Sequence, residues 1–77
     1  MNTYTIEEVS EHNTSDNCWI IINNEVYDIT NFLDKHPGGS SILMTVAGED
    51  ASDFFEELHR PEILEEFGKD YLIGSIN

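Results

Sequence analysis

Cysteine is nearly absent from this chain: Cys18 is the only one in 77 residues. An intrachain disulfide is excluded, and so are paired-thiolate zinc sites and attachment motifs of the CxxCH type. The lone thiol fits a reducing compartment, or a small buried hydrophobe. Basic residues are almost as scarce. Lys35, Arg60 and Lys69 stand against 16 Asp and Glu, giving a formal net charge of -13. Nucleic acid and anionic membranes are read through cationic surfaces and would be repelled. A basic protein partner would be attracted, and less strongly as salt rises. Acidity also serves plain solubility, and the two roles are compatible. No apolar run approaches the roughly 20 residues of a membrane span. Met1 to Thr5 lacks the basic and apolar regions of a signal peptide. These absences predict a soluble, cytoplasmic monomer with no membrane anchor in this chain, either free-standing or a module of a longer protein.

A chain this short forms one domain, 1–77, close to the lower limit for a self-sufficient core. Without a disulfide, a bound cofactor is the remaining source of extra stabilisation.

The segment that is present and unusual is His36-Pro37-Gly38-Gly39. Proline fixes its own φ and drives the preceding residue out of the α region, so His36 should end a helix. Gly38 and Gly39 let another body approach the backbone closely. Such a corner can hold an imidazole at a set angle. A second histidine, His59, follows a stretch rich in Phe and Leu.

Along the chain, Tyr4 to Ile6 reads as a short strand. Thr5 and Glu8 have capping-box spacing, which predicts a helix over 6–12. His12 to Asn17 reads as a polar loop, with His12 a solvated helix end lacking a partner. Cys18 to Ile22 reads as a buried strand, and Glu25 to Ile29 as a second, joined by an Asn23-Asn24 turn. Thr30 or Asn31 can cap a short helix up to His36, and Ser40 or Ser41 the next, stopped at Gly48. Ala51, Phe54, Phe55 and Leu58 form one apolar helical face leading into His59. Pro61 opens a further helix that Gly68 should end, and Tyr71 to Ile76 reads as a closing strand. The layout is α+β: a mixed sheet with short helices gathered at one end.

Both histidines end helical elements whose other residues are large and apolar. Two imidazoles facing across an apolar slot suit a flat macrocycle with a central metal, because haem iron takes ligands above and below its plane. Zinc fits poorly for want of further ligands. Acid–base catalysis lacks a nucleophile motif or phosphate-binding loop. The plainer alternative, in which Phe and Leu are only core and the histidines incidental, stays open on the residues alone.

His36-Pro37-Gly38-Gly39, preceded by Val26-Tyr27-Asp28-Ile29-Thr30-Asn31-Phe32-Leu33, resembles the signature of the cytochrome b5 family. The likeness runs from Trp19 through Ala47-Gly48-Glu49-Asp50-Ala51 and the segment from Phe55 to His59, to Tyr71-Leu72-Ile73-Gly74. It implies a non-covalent haem b with His36 and His59 as axial ligands. Phe32, Phe55 and Leu58 would pack on the ring, with Ile22, Ile29, Leu43, Val46 and Ala51 deeper in the pocket and Gly39 beside it. Trp19 would fall in a second core. The interval between the histidines is shorter than in microsomal members and is similar to that in the modules of flavocytochromes and nitrate reductases. Arg60-Pro61 replaces a small hydroxyl residue near a propionate, where Arg60 could pair instead. The hydrophobic tail of microsomal members is missing.

The resemblance further implies a one-electron carrier rather than an enzyme, since both axial positions are filled. Its partners would be basic-surfaced redox proteins: a flavin reductase, an acceptor enzyme or a cytochrome c-like protein. Glu49, Asp50, Asp53, Glu56 and Glu57 would steer them from near the haem edge. A haem sensor or scavenger, and a module that only docks a fused catalytic domain, are the other classes.

Overall fold

Asn23 and Asn24 make the central hairpin. Both adopt positive φ, 51° and 66°, the conformation of a type I′ turn, whose twist matches that of the flanking strands. Asparagine tolerates this region better than most residues. The turn joins β3 (Asn17–Ile22) to β4 (Glu25–Asp28) with Ile22 opposite Glu25 and Ile20 opposite Tyr27. The computed structural model describes residues 2–35, 40–53, 68 and 70–77.

The other described elements are β1 (Asn2–Tyr4), α1 (Ile6–Ser10), β2 (Asn13–Thr14), a 3₁₀ helix over Thr30–Lys35, α2 (Ser40–Met44) and β5 (Leu72–Ile76). The sheet is mixed, in the order β1-β5-β4-β3-β2, with β1 parallel to β5 and the other neighbours antiparallel. This is the α+β architecture that the sequence predicts. One helix departs from it: Val9 of α1 packs with Ile21 and Val26, on the sheet face opposite Ile20, Ile22 and Tyr27.

Strand alternation divides the core. Cys18, Ile20 and Ile22 point into the larger cluster, with Tyr27, Ile29, Leu33, Leu43, Ala47 and Ala51. Ile21 points the other way, against Val9 and Val26, with Tyr4, Trp19, Ile73 and Ile76 packed around them. Trp19 therefore belongs to the second core, as the family resemblance implies. Cys18 is fully buried. Desolvation, with a smaller contribution from the Asp28 carboxylate, pushes its thiol up to about 11, so it behaves as a small hydrophobe.

The capping box forms: Thr5 Oγ1 accepts from the Glu8 N–H at 3.0 Å, and Glu8 Oε1 accepts from the Thr5 N–H at 3.0 Å. Other boundaries differ from expectation. Strand β1 ends at Tyr4, because Thr5 is already the cap of α1. The polar stretch after α1 contains β2, which pairs Asn13 with Cys18. That pairing gives His12 two partners. Its ring stacks on Trp19 at 3.5 Å between centroids with 4° between planes, and its Nδ1 lies 2.6 Å from Asn17 Oδ1. Gly68, expected to end a helix, is itself helical, as are Asp70 and Tyr71, and β5 starts one residue later than predicted. The helices predicted over 51–59 and 62–67 lie largely outside the described residues; Ser52 and Asp53 are helical.

Two glycines are required by close approach. Gly48 has φ +74°, and a Cβ there would lie 3.1 Å from Asn13 Cβ and from the Ser10 carbonyl oxygen. At Gly74 a Cβ would lie 2.7 Å from Tyr4 Cε2 and would overlap the Asn2 carbonyl oxygen. Strand β1 thus runs directly over the α-carbon of Gly74. Alanine there should destabilise the domain by about 1–3 kcal/mol, the usual range for overpacking, read as a lower urea midpoint. An unchanged midpoint would mean that β1 does not pack on β5 in solution.

Candidate functional site

Two similar side-chain relays shape the sheet face that carries the larger cluster. After β4, Asp28 Oδ1 accepts from the Thr30 N–H at 3.1 Å and from the Thr30 hydroxyl at 2.7 Å. Thr30 Oγ1 in turn accepts from the Cys18 N–H at 2.9 Å. The relay turns the chain out of β4 and pins the 3₁₀ helix to β3. The N–H groups of Phe32 and Leu33 both donate to the Ile29 carbonyl, which sets Leu33 in the core and Phe32 at its margin.

The second relay mirrors it. Asp50 Oδ1 accepts from the Ser52 N–H at 2.9 Å and from its hydroxyl at 2.6 Å, while Ser52 Oγ accepts from the Asn23 N–H at 2.9 Å. The segment from Gly48 to Ala51 runs beside β3: the Gly48 N–H donates to Trp19 O, Ile21 N–H to Glu49 O, and Ala51 N–H to Ile21 O. Asp50 forms a parallel bridge with Ile21. The flank of β3 that β2 leaves open is covered in this way, and Ala51 is delivered to the same face as Ile22.

Six of the residues singled out from the sequence are thereby brought together. Ile22, Ile29, Leu43 and Ala51 are buried in one cluster, none more than 1 % exposed, and the half-buried Phe32 and Val46 pack against it. His36, Gly39, Phe55, Leu58, His59 and Arg60 lie outside the described residues. Sequence reasoning missed Tyr71 and Met44, which pack on the same cluster. The Tyr71 ring meets Phe32 edge-on, with centroids 5.2 Å apart and planes at 63°. Nothing local in the sequence marks that pair; β5 beside β4, with Leu72 opposite Tyr27, creates it.

Among the described residues no polar or charged side chain is buried in this wall, and no group of three or more His, Cys, Asp or Glu is gathered for a metal ion. No helix among them is long and apolar enough to cross a membrane. The described side chains of the wall are mainly aliphatic and aromatic. That suits a flat apolar ligand.

Known proteins share both sequence and fold. A family model described as cytochrome b5-like heme/steroid binding domain matches residues 5–77. Cytochrome b5 isoform B of Arabidopsis thaliana is 45 % identical over 74 residues, covering 96 % of this chain and 55 % of the relative. Cytochrome b5 of Borago officinalis is 42 % identical, with 96 % and 56 % covered. The chain thus spans just over half the length of these relatives. Solved structures of similar size also superpose. Cytochrome b5 of Ostreococcus tauri virus 2 gives a TM-score of 0.88 at 38 % identity, covering 95 % of this chain and 94 % of that one. Cytochrome b558 of Ectothiorhodospira vacuolata, described as a prokaryotic homologue of cytochrome b5, gives 0.84 at 28 % identity, with 97 % and 98 % covered. With the wall in the same α+β scaffold and a family match over nearly its whole length, this chain belongs to the cytochrome b5 family of haem-binding domains.

Proposed function

We propose that this domain is a one-electron carrier that holds the family's haem b between His36 and His59. The observation that carries the reading is the wall of Ile22, Ile29, Phe32, Leu43, Val46 and Ala51, assembled from four separate stretches on one sheet face. The fit is chemical: these side chains are apolar, and none of their described neighbours in the wall brings a buried charge. On the family resemblance, Phe55 and Leu58 would complete the lining, Gly39 would allow close approach beside His36, and Arg60 would pair with a propionate.

When bound, haem b supplies a reversible Fe(III)/Fe(II) couple. His36 and His59 would both hold the iron, so bound haem would exchange electrons in place of taking up oxygen or substrate, and the domain would act as a carrier. Neither ligand has the softness of Met, which raises haem potentials, so a low to middling potential follows. The apolar wall excludes water and favours the less charged ferrous form, while nearby carboxylates favour the ferric form.

Partners are basic-surfaced redox proteins: a flavin reductase as donor, and an acceptor enzyme or a cytochrome c-like protein beyond it. Asp53, two residues after the wall residue Ala51, is exposed, and Glu56 and Glu57 follow it in sequence. These carboxylates steer a cationic partner, which acts mainly on the association rate. Electron-transfer rates from a basic flavoprotein reductase should therefore fall steeply between about 10 mM and 1 M salt, as the screening length shrinks from ~30 Å to ~3 Å. Stopped-flow reduction across that series tests the reading. A rate independent of salt would remove the steering, and no reduction of haem-loaded protein by any such donor would remove the carrier function.

A further inference from the structure

The opposite sheet face carries a groove that the haem reading does not use. It has a volume of about 310 Å³ and runs between α1, the end of β3 and the end of β5. Its lining includes Ile6, Ser10, Ile21, Glu49, Asp50 and Ile76. Glu49 and Asp50, expected near the haem edge, thus line this second face. Ile6 is the one exposed large hydrophobic side chain among the described residues, 61 % exposed on a helix otherwise rich in glutamate. Exposed isoleucine at the mouth of an apolar groove is stabilised by a partner that covers it.

Charge complementarity selects the partner. Both charged residues of the described lining are carboxylates, and none of that lining is basic. Glu7, Glu8 and Glu11 on α1 and its C-cap extend the negative rim. No described residue bonds the Glu49 side chain, whereas Asp50 is held by Ser52. A second copy of this chain would bring another formal charge of -13 to the same rim and be repelled.

We infer that this groove docks a basic segment of a partner protein, one aliphatic side chain entering between Ile6, Ile21 and Ile76 while flanking Lys or Arg side chains meet Glu49 and Asp50. The site lies on the face away from the haem wall, so docking here leaves that wall free.

The test is an amide NMR titration of the ¹⁵N-labelled chain, with and without haem, using the peptide Lys-Lys-Leu-Lys-Lys as probe and pentalysine as control. Shifts should gather at Ile6, Ser10, Ile21, Glu49 and Ile76, and the leucine peptide should bind more tightly than pentalysine. Glu49→Gln should weaken it about two- to fivefold, the scale of one exposed ion pair, and Ile6→Ser several-fold. Asp16→Asn, an exposed carboxylate at the β2–β3 turn, should leave it unchanged. Equal binding of pentalysine, equal effects of Asp16→Asn and Glu49→Gln, or groove shifts that follow protein concentration instead of peptide would overturn the inference. Because the groove does not involve haem, peptide binding to the haem-free chain keeps this result separate from the electron-carrier reading.

Discussion

Alanine in place of His36 should weaken haem retention by more than about 100-fold. Side chains that merely orient a metal ligand cost about 10–100-fold in metal affinity when removed; loss of the ligand itself deletes a coordinate bond and leaves its position to solvent. His59→Ala should behave alike, and either variant should open a position that exogenous ligands can enter. His12→Ala is the matched control. Its ring is stacked on Trp19 at the second core, so its removal should leave haem affinity within about twofold of the parent, as for other changes remote from a site. Transfer of haem to a high-affinity acceptor protein measures all three. Equal loss in the His12 variant, or none in the other two, would contradict the assignment.

The second large effect lies in the wall. Leu43 has no exposed surface and sits among Ile20, Ile22, Ile29 and Ala47. Leu43→Ala should cost the haem-free domain about 2–5 kcal/mol, combining lost transfer free energy with an unfilled cavity. Against a total stability of about 5–15 kcal/mol for ordinary domains, and the lower end for a chain of this size, that approaches unfolding at body temperature. Ile6→Ala, at an exposed position, should stay within about 0.5 kcal/mol. Urea unfolding of both separates the cases. A Leu43→Ala loss below about 1 kcal/mol would mean that the wall collapses around the gap or is not packed as described.

What could be read in the sequence was local chemistry. Asn23-Asn24 identified the hairpin because few residues tolerate two successive positive φ values. Thr5 and Glu8 identified the start of α1 because their spacing lets each side chain reach the other's backbone. Cys18 to Ile22 was legible as a strand, but its alternation between two clusters was not, because every residue in the run is apolar; only Trp19 was assigned to the second core, by the family resemblance. Strand β2 was invisible for the opposite reason. Two polar residues carry no periodic signal, and only their pairing with Cys18 and Asn17 makes them a strand. The His12–Trp19 stack follows from that pairing and was lost with it. Of the pocket wall, Ile22, Ile29, Phe32, Leu43, Val46 and Ala51 came from the family resemblance. Tyr71 did not, because its approach to Phe32 depends on the register of β5 against β4, which no neighbouring residue encodes. The relays from Asp28 through Thr30 and from Asp50 through Ser52 are written in short-range pairs, yet each ends on a distant backbone N–H.

The most direct test of the central claim is the visible spectrum of haem-loaded protein, oxidised and reduced, with and without carbon monoxide. Two histidine ligands predict a six-coordinate, low-spin spectrum in both states that the gas does not move. A carbon monoxide shift in the reduced protein would show a displaceable ligand and contradict the closed, electron-carrying site, and failure to take up haem would contradict the cofactor itself.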